Sequence, residues 1–270
     1  MTDSLLDVVG SGLDVVDLGR QYRVGMPQSP NHPHFWHTLP RRHGDMSRPD
    51  GASAANDMIT MGTHVGTHID ALAHVSLDGR LHGGADAREA GIGGRFDEHG
   101  VHTIEPMVCR GVLLDVAAHH GVDTLDGGYE ITVDDLESTR AAAGVEVEPG
   151  DVVLVRSGWG RLFDQGQAYV GADTGVPGVA EAGARWLADR GVRAVGADTI
   201  AFERLAPHGG HSLLPAHNVL LVEHGIYIIE ALDLEGLSQA GWAAFTFVLI
   251  PLNIYGATGS PVRPLALRPV

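Results

Sequence analysis

The chain has 270 residues, of which 44% are apolar and 19% charged, and this composition is that of an ordinary globular protein able to bury a large core. Its formal net charge of -16 argues against a nucleic-acid partner and against docking on an anionic membrane surface. The single cysteine, Cys109, excludes an internal disulfide and fits a reducing compartment. We expect Cys109 to be a small core residue.

Two further features favour a cytoplasmic location. The N-terminal sequence MTDSLLDVVGSG carries acids where a signal peptide needs bases, so no secretion signal is expected. The longest apolar run, Ala243 to Leu252, has about half the length that a membrane helix needs. This run is predicted to be a buried strand.

Residues 25–56 form a segment rich in proline, histidine and arginine that shows no periodicity. Its prolines disfavour helix and interior strand, so we expect a long loop. Such a loop in a compact domain is typically a lid or a pocket wall. Phe35 and Trp36 are candidate substrate-binding residues, since aromatic walls suit a flat aromatic substrate; ordinary packing under the loop is the alternative.

Short apolar runs bounded by Gly or Asp predict strands over 111–116, 152–156, 194–197, 226–229 and 245–251. Helices are predicted over Thr132 to Ala143, with Thr132 as N-cap, and over Val179 to Arg190. Strands that alternate with helices indicate the α/β class. The sequence has no internal repeat and no clear linker, so residues 1–270 are predicted to form one domain.

The segment HVGTHIDALAH carries the clearest chemical signal. His64, His68, Asp70 and His74 all occupy even positions, which share one face of an extended chain. In a straight strand, however, residues 64 and 68 would lie about 13 Å apart, too far to share an ion. Gly66 permits a bulge or a positive φ, so a kinked strand or loop is predicted to bring the ligands together.

Two histidines and a carboxylate are typical of a catalytic metal site, because three protein ligands leave positions open for water and substrate. His64, His68 and Asp70 are the predicted ligands. His74 is either a further ligand or the proton carrier beside the bound water.

The same segment resembles the HxGTHxDxxxH signature of the cyclase family of metal-dependent hydrolases, which includes bacterial kynurenine formamidase and isatin hydrolase. GVLLDVAAHHGV, ITVDDLE, GDVVLVRSGW and VGADTIAFE look like family segments in the family's order, so the likeness covers most of the chain. The resemblance implies a swivelling β/β/α domain with a mixed sheet and flanking helices.

The resemblance also implies roles for individual residues. His64, His68 and Asp70 match the first-metal ligands, Asp70 could bridge two ions, and His74 matches the catalytic histidine. The segment AHNVLLVEHGIYIIEAL resembles the one that supplies a further His and Glu, which maps to the ligands His217 and Glu230. His211 and His224 are alternatives to His217. The implied cofactor is a divalent metal, zinc or manganese, with one or two ions per chain.

Departures from the family pattern concern the substrate. Leu72 stands where the signature often has proline. Kynurenine formamidases tend to carry an Asp late in a GxDTxSxD segment, whereas this chain reads GADTIAFE, with Ala201 and Glu203. These departures count against kynurenine formamidase activity more than against hydrolysis.

The implied reaction is hydrolysis of an amide or ester carbonyl in an aryl formamide, a cyclic amide or imide, or a lactone, by metal-activated water with His74 as proton shuttle. The partner would be a small-molecule substrate, and a homodimer or homotetramer is expected. A metal-binding or sensing protein without turnover and a dehydrative cyclase are the alternatives.

Overall fold

Parallel strands form the centre of a nine-stranded mixed sheet in the structure, a computed structural model that describes residues 9–270. The strands of the described chain are β1 (Leu13–Asp17), β2 (Trp36–Arg41), β3 (Asn56–Thr60), β4 (His68–Asp70), β5 (Met107–Asp115), β6 (Glu130–Ile131), β7 (Val152–Arg156), β8 (Gly178–Val179), β9 (Ala194–Ala197), β10 (Tyr227–Glu230), β11 (Ala244–Leu249), β12 (Gly259–Pro261) and β13 (Leu265–Pro269).

The large sheet has the order β1-β13-β11-β5-β7-β9-β10-β4-β12. Pairing is parallel from β5 through β7 and β9 to β10, and antiparallel at both flanks. The predicted absence of a secretion signal concerns in part residues 1–8, which lie outside the described residues.

Helices pack on the two faces of this sheet. The α-helices that lie wholly within residues 9–270 are, in chain order, α1 (Ala87–Ala90), α2 (Val116–His119), α3 (Val133–Ala143), α4 (Gln167–Val170), α5 (Glu181–Asp189), α6 (Pro215–His217) and α7 (Glu235–Gln239). The short helix α6 continues into a π-helix at Asn218–His224. Short 3₁₀ turns lie at His82–Gly84, Val101–Thr103 and Trp159–Gln165. The α/β class with a mixed sheet and flanking helices is confirmed.

The predicted elements of the central sheet are close to those observed. β7 and β9 have the predicted bounds, whereas β5 begins earlier, at Met107. Thr132 caps α3 in a capping box, because its hydroxyl accepts from the Asp135 amide while the Asp135 carboxylate accepts from the Thr132 amide. The predicted helix over 179–190 is shorter, since Val179 pairs in β8.

Two predictions about burial are corrected. The apolar run around β11 is buried on one side only, because Phe245, Phe247 and Leu249 face the core while Ile250 is exposed. Cys109 is half-buried at the edge of that core. Within residues 9–270, none of the helices combines the length and the apolar character needed to span a bilayer.

The loop predicted over 25–56 is corrected at its second half. β2 lies within it and pairs with β3 in a separate antiparallel hairpin. The hairpin is not part of the main sheet, and its register shifts between Thr38 and Arg41, which accommodates Pro40. Proline is tolerated at such an irregular edge because no central ladder hydrogen bond is lost.

Candidate metal centre

His64 and His68 approach each other because the chain turns at Gly66. Gly66 has a φ of 63°, and β4 begins only at His68. The two imidazole ring centres are 5.4 Å apart. A β-carbon at position 66 would meet the Tyr22 ring at 2.7 Å, so both the backbone angle and the space require glycine. The predicted kink is confirmed.

Glu230 reaches the same place through strand pairing. β10 runs antiparallel to β4, and in this register Glu230 lies directly opposite His68. Opposite residues in such a pair project from the same face of the sheet. Glu230 is buried, as are His68 and Asp70, so its carboxylate is not a solvated strand end.

His68 is oriented by the turn that precedes it. Its Nδ1 donates to the Gly66 carbonyl at 2.8 Å, so Nε2 faces inward. This Nε2 lies 3.5 Å from Asp70 Oδ1 and 3.4 Å from Glu230 Oε2. An imidazole whose second nitrogen is fixed in this way is typical of a metal ligand.

His217 is oriented by Glu203. Its Nδ1 donates to Glu203 Oε1 at 2.5 Å, and the same carboxylate accepts from the backbone amides of Ala216 and His217. The His217 Nε2 therefore faces the carboxylates opposite, 3.3 Å from Glu230 Oε1 and 3.6 Å from Asp70 Oδ2. His68 and His217 thus present the same nitrogen to the same pair of carboxylates.

A second group of donors shares Asp70. The Nδ1 of His64 donates to Asp70 Oδ1 at 2.6 Å, and the Thr258 hydroxyl lies 2.9 Å from the His64 Nε2. The His74 ring stacks on the His64 ring with centres 3.8 Å apart. His64, Asp70 and His74 offer ligand atoms within 4.8 Å of one another, as do His68, Asp70 and Glu230. Asp70 is the residue common to both groups.

These residues fit a divalent metal ion. Asp70 Oδ2 is buried and has no hydrogen-bond partner within residues 9–270, although an orphaned carboxylate oxygen is costly in a protein interior. The four N–O separations around His68 and His217 are 3.3 to 3.6 Å. Four atoms held tetrahedrally at about 2.0–2.1 Å from one ion lie about 3.3 Å apart. The donor set therefore has both the chemistry and the spacing of a metal centre.

The charges of the metal-free centre shift its pKa values strongly. Burial raises the pKa of Asp70, but the nearby His74, His64 and His68 outweigh burial and hold that pKa well below its usual range. Burial likewise opposes ionisation of Glu230, yet hydrogen bonds from His217 and His68 lower its pKa to about 2. Both carboxylates are thus anionic at neutral pH and available as ligands.

The histidines respond in opposite ways. Burial lowers the pKa of both His68 and His217, but the carboxylates beside them more than reverse this, so both pKa values lie above the ordinary 6.5. For His74, burial dominates over the attraction of Asp70 and lowers the pKa to about 3. His74 is therefore neutral at pH 7 in the metal-free protein.

The stability of the metal-free protein is expected to fall as the pH rises above about 6.5. Because the folded-state pKa values of His68 and His217 exceed 6.5, their contribution is fully present below 6.5 and is lost as pH rises through the raised values. Melting temperatures after chelator treatment measure this. Metal-loaded protein should show the opposite trend, since the ligands bind as neutral imidazoles. His217→Gln should flatten the metal-free curve, and a metal-free melting temperature that rises with pH contradicts the account.

The remaining predicted residues and alternatives are not part of the two donor groups. Phe35 is buried and its ring centre is 5.8 Å from that of Tyr22, whereas Trp36 begins β2 and is 56% exposed. Their role in substrate binding stays a prediction. His224 ends the π-helix and is exposed. His211 is half-buried, and burial lowers its pKa while Glu230 opposes that effect.

Three residues of the site did not stand out in the sequence. Glu203 was noticeable only as a departure at the end of GADTIAFE, and Thr258, just before β12, carries no recognisable signal. His32, in PNHPH, lies with its ring centre 5.4 Å from that of His64. Neither periodicity nor a motif predicts that these three residues belong to the site, because each reaches it through long-range packing.

Removing Glu203 is expected to weaken metal binding without removing a ligand. Loss of the carboxylate that orients a metal-bound histidine typically costs 10- to 100-fold in affinity, and Glu203→Ala should show a loss of about this size. Glu203→Gln keeps an oxygen acceptor and should lose less. Competition with a chromophoric chelator measures the affinity, with the exposed Glu181→Ala as control. Unchanged affinity in Glu203→Ala would contradict a positioning role for Glu203.

Comparison with known proteins places the chain in a family. The family model for cyclases matches residues 16–204, which is more than half of the chain. The chain belongs to the cyclase family. Among curated relatives, it is 27% identical over 230 residues to cyclase-like protein 3 of Oryza sativa subsp. japonica, covering 82% of this chain and 69% of that protein. It is 26% identical over 223 residues to the isatin hydrolase of Roseibium aggregatum, covering 82% and 77%.

Solved structures of cyclase-family proteins have the same fold. A crystal structure described as that of a novel cyclase matches with a TM-score of 0.85 and 28% identity, covering 98% of this chain and 93% of the other. Isatin hydrolase A from Ralstonia solanacearum matches with a TM-score of 0.77 and 25% identity, covering 99% and 98%. The sheet order described above is thus a cyclase-family architecture over nearly the whole chain.

Proposed function

We propose that this cyclase-family protein is a metal-dependent hydrolase of a small amide or ester: an aryl formamide, a cyclic amide or imide, or a lactone. The observation that carries the proposal is His74, a neutral imidazole stacked beside a buried cluster of His, Asp and Glu donors. Relatives named as isatin hydrolases support a cyclic amide in particular, because isatin is one.

His68, Asp70, Glu230 and His217 would hold one divalent ion, zinc or manganese, and His64 with Asp70 and His74 surrounds a place for a second. Such an ion, when bound, polarises a carbonyl and lowers the pKa of water. Histidine and carboxylate ligands suit both metals. The shared carboxylate of Asp70 is consistent with either one or two ions per chain.

The chain's own contribution to the reaction is proton transfer and orientation. Neither ring nitrogen of His74 has a hydrogen-bond partner in the described part of the chain, so the ring is free to accept the proton of an attacking water and to return it to the leaving nitrogen or oxygen. Gly66 and Glu203 hold His68 and His217 in place, which leaves His74 as the candidate base.

We also propose that the protein assembles as a homodimer or homotetramer in the cytoplasm and acts on a small molecule rather than on nucleic acid or a membrane. The β2–β3 hairpin supports self-association. An isolated two-stranded hairpin is marginally stable in water, yet this one exposes Trp36, Leu39, Met58 and Ile59. A second copy would cover these apolar side chains.

The test is turnover by protein of known metal content. Zinc-loaded and manganese-loaded protein would be incubated with isatin, phthalimide, formanilide and dihydrocoumarin, and ring opening or formate release would be followed. Hydrolysis of at least one compound that disappears with chelator and returns with metal supports the proposal. Stoichiometric metal without turnover of any of them would instead indicate a metal-binding protein.

A further inference from the structure

A short turn before the hairpin lies over the candidate metal centre. The His32 amide donates to the Ser29 carbonyl at 3.2 Å, and the Gln28 side chain donates to the His32 carbonyl at 2.8 Å. Pro30 and Pro33 restrict the backbone on either side. The Gly62 amide, two residues before His64, donates to the Pro33 carbonyl at 3.1 Å. The turn is therefore fixed to the segment that carries the ligands.

His32 points its ring from this turn toward the centre. Its ring centre is 5.4 Å from that of His64 and 6.4 Å from that of His74. The ring is half-buried, and neither nitrogen has a hydrogen-bond partner in residues 9–270. A half-buried imidazole with two unused nitrogens beside the base is available to a bound molecule.

A cavity of about 380 Å³ lies against the same turn. Asn31, the residue before His32, lines one side, and His211, Gly171 and Leu205 line others. This volume is within the usual range for a small-molecule site. The cavity therefore lies beside the turn that carries His32.

The chemistry of an amide substrate indicates which group His32 would contact. Under the proposed function, the carbonyl oxygen faces the metal and His74 handles the proton of water. An amide N–H in a closed site still needs an acceptor, and a neutral imidazole has one acceptor nitrogen. The unpartnered Asp70 Oδ2 and the Glu230 carboxylate face the inner nitrogens of His68 and His217, where the ion would bind. His32 therefore offers an acceptor beside His74 that a bound ion would leave free.

We propose that His32 is a substrate-binding residue that accepts a hydrogen bond from the N–H of the scissile amide and so favours secondary amides over esters and N-alkylated amides. This inference rests on the proposed function, and it names the substrate class more narrowly. His32 acts on the substrate and does not hold metal.

The experiment compares His32→Ala with wild type on a matched substrate pair. One substrate is whichever of isatin, phthalimide and formanilide the wild type hydrolyses fastest, and the other is its N-methyl derivative. His32→Ala should lose on the order of tenfold in kcat/KM for the N–H amide and little for the N-methyl amide, because only the former makes the hydrogen bond. His32→Gln offers an acceptor oxygen and should retain part of the preference. His34→Ala, an exposed histidine two residues along, is the control and should match wild type.

Metal content, measured by elemental analysis, should equal that of wild type in all these variants. An equal loss on both substrates, wild-type kinetics in His32→Ala, or loss of metal from that variant would each overturn the inference. Wild type that hydrolyses dihydrocoumarin but no amide would also overturn it while leaving the proposed hydrolase function intact. Wild type that hydrolyses nothing would overturn both.

Discussion

His68→Ala is expected to abolish high-affinity metal binding and with it all metal-dependent hydrolysis. The side chain is buried, its Nδ1 is fixed by the Gly66 carbonyl, and its Nε2 faces both Asp70 and Glu230. Losing a ligand should cost more than the 10- to 100-fold that loss of an orienting partner costs. Without the imidazole, the buried Asp70 and Glu230 carboxylates would have less positive charge beside them. The metal-free variant should therefore melt at a lower temperature than the wild type.

Elemental analysis and chelator competition measure the metal, and His68→Gln provides a variant of closer size if the alanine variant is poorly folded. His224→Ala is the matched control, because His224 is an exposed histidine at the end of the π-helix that follows His217. The control should bind metal as wild type does. Wild-type metal content in His68→Ala would show that the inner nitrogen of His68 is not a ligand.

His74→Ala is expected to lower kcat by about 10² to 10⁴ while metal content stays intact. General acid–base assistance is typically worth that factor. His74 is neutral and its ring nitrogens have no hydrogen-bond partner in the described residues, and His68, Asp70, Glu230 and His217 supply a ligand set without it. The pH–rate profile of the variant should also lose one limb.

Because the His74 ring stacks on the His64 ring, a loss of metal from His74→Ala would also be informative. If metal and activity are lost in step, His74 binds an ion in the group that it forms with His64 and Asp70. If metal is retained and kcat stays near normal, the proton is carried elsewhere. Measuring metal stoichiometry beside kcat in the same preparation separates these two results.

Much of the centre could be predicted from the sequence because its signal is local. HVGTHIDALAH places its donors within eleven residues, and only glycine satisfies the φ of 63° and the close Tyr22 ring at position 66. The α/β class was also predictable, since β7 and β9 are short buried runs between turn residues. The β2 strand was missed because the prolines of the 25–56 segment argued against a strand, and pairing in a separate hairpin tolerates Pro40.

Only the tertiary structure decided which distant groups complete the centre. The antiparallel register of β10 and β4 sets Glu230 opposite His68 across about 160 residues of sequence, and no local pattern encodes a register between distant strands. Glu203 orients the His217 ring toward Asp70 and Glu230, whereas His224 is exposed at the end of the π-helix. The sequence thus determined which local donors meet, through the backbone turn at Gly66. Long-range pairing and packing determined the rest, because buried charges are tolerated only where the fold brings their partners within reach.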